Sequence, residues 1–251
     1  MTSRLVALCF DANDPLRLAR FWAEALRWEV DSESRGEAGG EIGLLPTDGT
    51  RFRIVFRPVP NTKTLQNRIH LDLTTESVDD QLATVARLLE RGGCHVDIGQ
   101  RTDEGHVVLA DPEGNELCVL EPGNSFLANA GRLGAINCDG TRRVGVFWSE
   151  ALGWPLVWDQ DEETAIRAPD LAGPLITWSG PPLMPKLGKN RLHLEVVPIG
   201  RTDQRTEVDR LVALGATRAE LDPGEASRVF MADPDDNEFC VVDPRHRELD
   251  E

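Results

Sequence analysis

The sequence predicts an α+β fold made of four strand–helix–strand–strand–strand (βαβββ) units in two tandem domains. Three segments return along the chain of 251 residues: 67–73 (NRIHLDL) as 190–196 (NRLHLEV), 21–26 (FWAEAL) as 147–152 (FWSEAL), and 111–118 (DPEGNELC) as 233–240 (DPDDNEFC). Their offsets are 123, 126 and 122 residues. Matched segments at a nearly constant long period are typical of a duplicated structural unit.

The first unit is predicted from a helix signal between strands. Residues 4–10 form an apolar run that predicts a strand, and Asp14-Pro15 then provides an N-cap followed by a proline suited to a first helical turn. An apolar stripe at helical spacing follows: Leu18, Phe21, Trp22, Ala25 and Leu26. Three more strands are predicted at 28–30, 41–45 and 51–57.

The second unit begins with residues 67–74, which alternate polar and apolar side chains as a half-buried strand does. A helix is predicted over 77–91 and ends at Gly92-Gly93. Its expected buried face comprises Val78, Leu82, Val85, Ala86 and Leu89. Three short strands complete the unit, and turn chemistry joins the last two.

The domain boundaries follow from the repeat. Residues 1–121 form the first predicted domain and 132–245 the second. Residues 122–131 (PGNSFLANAG), which are small, polar and rich in turn formers, are predicted to be a linker.

Composition excludes several classes of partner. The formal net charge of −16 would repel a nucleic acid backbone or an anionic membrane, so neither is an expected partner. The N-terminal apolar run is too short for a secretion signal, and no stretch approaches a membrane span. Five scattered cysteines without a Cys-x-x-Cys pair are expected to be reduced thiols of a cytoplasmic protein.

The three repeated motifs, in this order and spacing, resemble the vicinal oxygen chelate superfamily of glyoxalases, bleomycin-resistance proteins and dioxygenases. The resemblance is strongest to the glyoxalase-like branch and covers essentially the whole chain twice. It implies paired βαβββ units, each pair curling an eight-stranded mixed sheet around a concave cavity. Some relatives bind a divalent metal there, whereas resistance proteins use the cavity as a metal-free drug pocket, so the fold alone does not define the function.

The resemblance also indicates where metal ligands would stand. The positions on the first, fifth and eighth strands are occupied by Ala7, His70 and Cys118 in the first half. Leu133, His193 and Cys240 occupy them in the second half. Since an aliphatic side chain cannot coordinate, each half lacks the three protein ligands that a catalytic metal normally has. We therefore expect no metal or other cofactor, although the neighbouring carboxylates could complete a site: Asp72 or Glu116, and Glu195 or Glu238.

The two histidines and the two cysteines each allow two interpretations. His70 and His193 are either cavity-wall residues bonded to a neighbouring strand or contacts for a ligand, with His70 the best candidate for an acid or base. Cys118 and Cys240 are expected to be small apolar core residues, because a nucleophilic role would need a base or cation beside the thiol. Glu116 and Glu238 are expected to help fix a hairpin.

One strand of the first half carries three cations. Arg51, Arg53 and Arg57 share a strand face that points either into the cavity, which would favour an anionic ligand, or into solvent. The matching residues of the second half are Leu175, Thr177 and Ser179, which predicts a less polar second pocket. The first cavity is therefore the favoured candidate for activity.

Four of the tryptophans fall into two groups. Trp22 and Trp148 lie in apolar helix stripes and are expected in the core. Trp158 and Trp178 lie outside any predicted helix and are candidates for stacking on a ligand.

The function that these observations favour is metal-independent binding of a small molecule, of the resistance or sequestration kind. The expected ligand contacts are Arg53, His70, Asp72, Cys118, His193, Glu195 and Cys240. The alternative is a glyoxalase-like lyase, isomerase or dioxygenase with a rebuilt metal site or with His70 as acid or base. A third possibility is that one domain binds the ligand and the other only supports it. The sequence leaves undecided whether the chain forms a homodimer.

Overall fold

The structure, a computed structural model, describes residues 2–32, 40–101, 104–219 and 227–246. Within these ranges there are four α-helices, α1 (Pro15–Leu26), α2 (Val78–Glu90), α3 (Arg142–Leu152) and α4 (Gln204–Leu214), and a 3-10 helix at Pro244–His246. The strands of the first half are β1 (Ser3–Ala12), β2 (Glu29–Val30), β3 (Ile42–Leu45), β4 (Arg53–Pro58), β5 (Ile69–Leu73), β6 (Cys94–His95), β7 (Val107–Ala110) and β8 (Glu116–Val119). Those of the second half are β9 (Leu133–Cys138), β10 (Leu156–Gln160), β11 (Glu163–Ile166), β12 (Leu175–Trp178), β13 (Leu192–Pro198), β14 (Thr217–Arg218), β15 (Arg228–Ala232) and β16 (Glu238–Val242).

The strands form two eight-stranded mixed sheets. Sheet A has the order β14-β15-β16-β13-β1-β4-β3-β2, and sheet B has the order β10-β11-β12-β9-β5-β8-β7-β6. The predicted α+β class, the four βαβββ units and the two eight-stranded sheets are confirmed.

Each sheet takes one unit from each half of the sequence. Sheet A joins the first and fourth units through the antiparallel pair β1 and β13, whereas sheet B joins the second and third through β5 and β9. Residues 122–131 therefore separate the repeats along the chain but do not separate the sheets. As a consequence, side chains that belong to one half of the sequence can face different cavities.

The first helix begins and packs as its sequence indicates. The Asp14 carboxylate accepts a hydrogen bond from the backbone N–H of Arg17, and Pro15 occupies the first turn. Trp22 is fully buried, and its indole N–H donates to Asp111 in the turn between β7 and β8. Trp148 makes the same bond to Asp233. The predicted core position of both tryptophans is confirmed, and these bonds tie each helix to the second unit of its own half.

The predicted buried face of α2 is only partly correct. Val85 and Leu89 are half-buried and pack against the core, whereas Val78, Leu82 and Ala86 are exposed. The helix instead buries Gln81, Thr84 and Leu88. Gln81 donates to the carbonyls of Gly105 and Val119, so an amide adds to the apolar packing of Leu88 in holding the helix to β8. A polar residue that satisfies strand-end carbonyls can outweigh the burial of a valine.

Alternation along β5 places its residues as predicted. Ile69, Leu71 and Leu73 belong to the hydrophobic core that extends under both sheets. His70 and Asp72 lie on the opposite, concave face of sheet B. The candidate site is therefore on this face.

Candidate ligand-binding site

The concave face of sheet B borders a cavity of about 670 Å³. Its lining includes Asp72, Asn137, Thr177, Ser179 and Trp158 from the sheet, and residues 124–127 from the linker. This volume lies in the range of typical small-molecule sites. The linker was expected only to connect the halves, and it forms one wall of the cavity instead.

Five side chains lie in one row across the sheet. The register pairs His70 with Asn137, Asn137 with Thr177, Thr177 with Ala165, and Ala165 with Trp158. Strand neighbours are about 4.8 Å apart, so the row extends over roughly 19 Å. It runs from an imidazole at one end, past an amide and a hydroxyl, to an indole at the other.

His70 forms a compact polar group with Asp72 and Cys118. Its Nε2 lies 3.3 Å from Asp72 Oδ1, and Asp72 is the register partner of Cys118 on β8. Asn137 Nδ2 lies 3.5 Å from Asp72 Oδ2, and Ser179 Oγ donates to Asn137 Oδ1 at 2.9 Å. The expected proximity of His70, Asp72 and Cys118 is therefore present in the structure.

Electrostatics keeps the proton on His70. Burial lowers the pKa of this imidazole, but the hydrogen bonds to Asp72 and Cys118 outweigh it and raise the pKa to about 10. Burial also raises the pKa of the Cys118 thiol, which His70 only partly offsets. At neutral pH the group is an imidazolium–carboxylate pair beside a protonated thiol, which is a poor nucleophile.

The equivalent residues of sheet A have a different environment. Glu195, which corresponds to Asp72, accepts from Arg57 Nη2 at 2.7 Å and from Arg228 Nε at 3.1 Å. Arg57 also donates to Glu41 at 3.0 Å. The side chain of Glu195 is only 3% exposed, and the two guanidinium groups overcome its burial and lower its pKa to about 2. The concave face of sheet A is thus occupied by an ion-pair network.

His193 consequently has no carboxylate partner. It is 1% exposed, and neither ring nitrogen has a hydrogen-bond partner. Its ring packs against Phe230 at a centroid distance of 5.8 Å. Burial lowers the pKa of His193 to about 3, with Glu195 opposing the shift and Arg57 and the other nearby cations adding to it. The two repeated histidines therefore differ in charge at neutral pH.

Two groups of side chains have the number and type of donors that a divalent metal needs. In sheet A these are Cys9, His193 and Glu195, but Glu195 already binds two arginines, whose charges oppose a cation. That group does not fit a metal. In sheet B, His70, Asp72 and Cys118 fit in donor type, with ligand atoms within 4.8 Å of one another. A metal there would have to displace the protons of His70 and Cys118.

The predicted grouping of Arg53 with His70 is wrong. Arg53 pairs with Ala7 in sheet A, whereas His70 lies in sheet B. Arg57 likewise belongs to sheet A, and Arg51 precedes β4 and pairs with Asp170 at the surface. The three arginines were assigned to one cavity because the sequence does not reveal which units share a sheet.

The outcome for the candidate tryptophans is divided. Trp178 is 1% exposed and belongs to the hydrophobic core, where Gly140 leaves room for its ring, although it also borders the cavity, so its stacking role stays a prediction. Trp158 borders the cavity and is 36% exposed.

Cys240 is fully buried in sheet A, and Cys118 is nearly so in sheet B.

Glu116 and Glu238 act on the central strands rather than on a hairpin alone. Glu116 accepts from Lys63 and from the backbone N–H of Asn67 just before β5. Glu238 accepts equivalently from Lys186 and Asn190 before β13. Each carboxylate therefore fixes the entry of the strand that carries the repeated histidine.

Sequence reasoning missed Asn137 and the linker residues. Asn137 interrupts the otherwise apolar strand β9, and this was the available signal. Its meaning depends on the pairing of β9 with β5, which local patterns do not show. Phe126 was hidden by the polar composition of the linker.

Two sheets of paired βαβββ units, each with a polar concave face, define the vicinal oxygen chelate fold. The chain belongs to the glyoxalase-like domain family, whose model matches residues 7–120 and 135–242. A comparison with curated protein sequences finds no match.

Solved structures support the fold over the whole chain. Glyoxalase I from Zea mays is similar with a TM-score of 0.60 and 13% identity, covering 96% of this chain and 92% of its own. A putative dioxygenase from Bacillus subtilis is similar with a TM-score of 0.59 and 14% identity, covering 97% and 86%. Among the described residues, no helix has the length and apolar character needed to cross a membrane.

Proposed function

We propose that this protein binds a small organic molecule in the sheet B cavity without a metal, as resistance or sequestration proteins do. The observation that carries the proposal is the difference between the two concave faces. Sheet A is filled by the Arg57–Glu195–Arg228 network, while sheet B borders a 670 Å³ cavity. One face therefore supports the fold and the other has room for a ligand.

The polar groups of the cavity support this proposal. At the floor the Asp72 carboxylate can accept hydrogen bonds and the Asn137 amide can accept or donate them, and the buried hydroxyl of Thr177 has no protein partner. A buried polar atom without a partner is costly unless a ligand or water satisfies it. A few such groups within a mostly apolar pocket are typical of a site that orients a small molecule.

We expect Asp72→Asn to weaken binding about tenfold or more, because Asp72 contributes a charged acceptor to the cavity floor. Ligands would first be identified by thermal-shift screening and their affinities then measured by calorimetry. Asp79→Asn makes the same chemical change at an exposed position of α2 and should leave affinity unchanged. Equal affinities for the wild-type protein and Asp72→Asn would contradict binding at this floor.

Metal independence gives a separate expectation. A metal at His70, Asp72 and Cys118 would have to displace the protons of His70 and Cys118, so we expect purified protein to contain well under one equivalent of zinc, nickel, iron or manganese. A chelator should not lower the melting temperature. Elemental analysis checks the first point and calorimetric melting the second. One tightly held ion per chain, lost in Cys118→Ser, would overturn metal independence.

The alternative is an enzyme of the glyoxalase-like group, and the His70–Asp72 pair is the observation that favours it. An imidazolium held by a carboxylate can deliver a proton to a bound substrate. Turnover of the identified ligands, detected by mass spectrometry and abolished by His70→Gln, would establish this alternative. We also propose a reducing, cytoplasmic location, which suits the five free cysteines.

A further inference from the structure

The linker between the repeats packs into the concave face of sheet B. Leu127 is buried against Ala135, Ala165 and Leu175, which are small or apolar residues of that face. The segment is folded back on itself, since the backbone N–H of Ala128 donates to the carbonyl of Ser125 and that of Ala130 donates to the carbonyl of Leu127. Leu127 thus covers Ala165, the apolar member of the row, and leaves Asn137, Thr177 and Trp158 lining the open cavity.

An aromatic pair stands at the end of this row. Phe126 from the linker and Trp158 from β10 meet edge to face, with ring centroids 5.7 Å apart and planes at 81°. Both side chains line the cavity, and both are more than a third exposed. The other large aromatic pairs lie in the core, so two exposed rings on the cavity wall indicate a binding surface rather than packing.

The remaining lining limits the chemistry of the ligand. It includes the carboxylates of Asp72 and Glu163 but neither lysine nor arginine. His70 offsets the charge of Asp72, but no lysine or arginine in the lining offsets that of Glu163, so an anion would meet repulsion there. A flat ring can stack on Trp158 while a hydrogen-bond donor on its edge reaches Thr177, Asn137 or Asp72. The row from Asn137 to Trp158 covers three strand spacings, about 14 Å, which is enough for a fused two-ring compound.

We propose that Phe126 and Trp158 form an aromatic clamp that selects planar aromatic ligands carrying a hydrogen-bond donor, neutral or cationic but not anionic. The proposal rests on the sheet B cavity being the binding site. A ring held between two aromatic faces needs about 7 Å between them, so the ligand displaces Phe126 from its present contact. The linker is therefore the part of the site that moves when the ligand binds.

Four probes test separately whether the ligand must be planar and whether it must not be anionic. They are 2-naphthylmethanol, 2-naphthylmethylamine, 2-naphthoate and the non-planar cyclohexylmethanol, each titrated into the full chain by calorimetry. The first two should bind, and the other two should bind at least about fivefold more weakly. Trp158 is the most exposed tryptophan of the described residues, so binding should also reduce the quenching of tryptophan fluorescence by acrylamide.

Substitutions of Trp158 and Phe126 test whether these two rings contact the bound probe. Trp158→Leu and Phe126→Leu keep apolar bulk but remove a ring, and each should weaken 2-naphthylmethanol about fivefold. Trp158→Phe keeps a ring and should stay within about twofold of wild type. Far-ultraviolet circular dichroism and melting temperature should match wild type in all three, because both side chains lie at the surface.

The outcomes separate the clamp from the proposed function. If Asp72→Asn weakens naphthyl binding but both ring removals leave it unchanged, the cavity binds ligands and the clamp is refuted. The clamp is also refuted if planar and non-planar probes bind equally. If screening finds compounds that depend on Asp72 but none of them is planar, the function again stands without the clamp. Absence of any Asp72-dependent binding overturns both.

Discussion

Glu195→Gln is expected to lower the free energy of unfolding by about 3–5 kcal/mol, which is the usual cost of removing one partner from a buried ion pair. The charge of Glu195 balances Arg57 and Arg228 on the concave face of sheet A, and all three side chains are largely buried. The glutamine has the same shape, so the loss reports charge rather than volume. Urea unfolding measures it.

The repeat supplies a matched control for this change. Asp72→Asn alters the corresponding position of sheet B, where the partner is His70 with a side chain that is 26% exposed. The loss should be smaller here, because His70 can release its proton when the carboxylate is removed, whereas Arg57 and Arg228 stay charged when Glu195 is removed. Equal losses in the two variants would mean that the network of sheet A does not carry the stability assigned to it.

The sequence predicted the units of this fold well because the units are encoded locally. Strict alternation in β5 placed His70 and Asp72 on one face and three aliphatic residues on the other. The N-cap at Asp14 and the glycines after α2 gave correct helix ends. Such signals need only the period of a strand or helix and the chemistry of its ends.

Which units share a sheet could not be predicted, because pairing depends on contacts between distant segments. β5 lies beside β9 rather than beside β1, so His70 is the neighbour of Asn137 and not of Arg53. The same rearrangement brings Arg57 of the first half to Glu195 of the second. Two histidines in closely similar local sequences thereby acquire different charge states, one cationic and one neutral, and no local pattern distinguishes them.

The helix α2 shows a second limit of prediction from the sequence. Its valine and leucine spacing predicted a buried apolar face, yet Gln81 faces the sheet because strand-end carbonyls need donors. Periodicity measures where apolar residues are, and it does not show which backbone groups lack a partner. Likewise, composition identified residues 122–131 as a linker, but only the structure shows that Leu127 packs into a concave face.

The neutral state of His193 makes stability depend on pH. A histidine has an unfolded pKa near 6.5, and burial lowers the pKa of His193 to about 3 in the folded protein. Between these values the unfolded chain binds a proton that the folded chain does not. The stability conferred by the neutral imidazole is therefore complete above pH 6.5 and is lost progressively as the pH falls towards 3.

Below pH 6.5 the free energy of unfolding should fall by about 1.4 kcal/mol per pH unit through this group, and by up to about 5 kcal/mol at pH 3. His193→Leu removes the titrating group and two unpartnered nitrogens, so its stability advantage over wild type should grow as the pH drops from 7 to 5. Other groups that titrate in this window, including Asp233, whose pKa burial raises to about 6, contribute equally to both proteins. Their contributions therefore do not change the difference in stability. His95→Leu, at an exposed position, should show no such widening. A constant difference between His193→Leu and wild type from pH 7 to 5, measured by urea unfolding, would show that His193 binds its proton equally in the folded and unfolded states, which contradicts a lowered pKa.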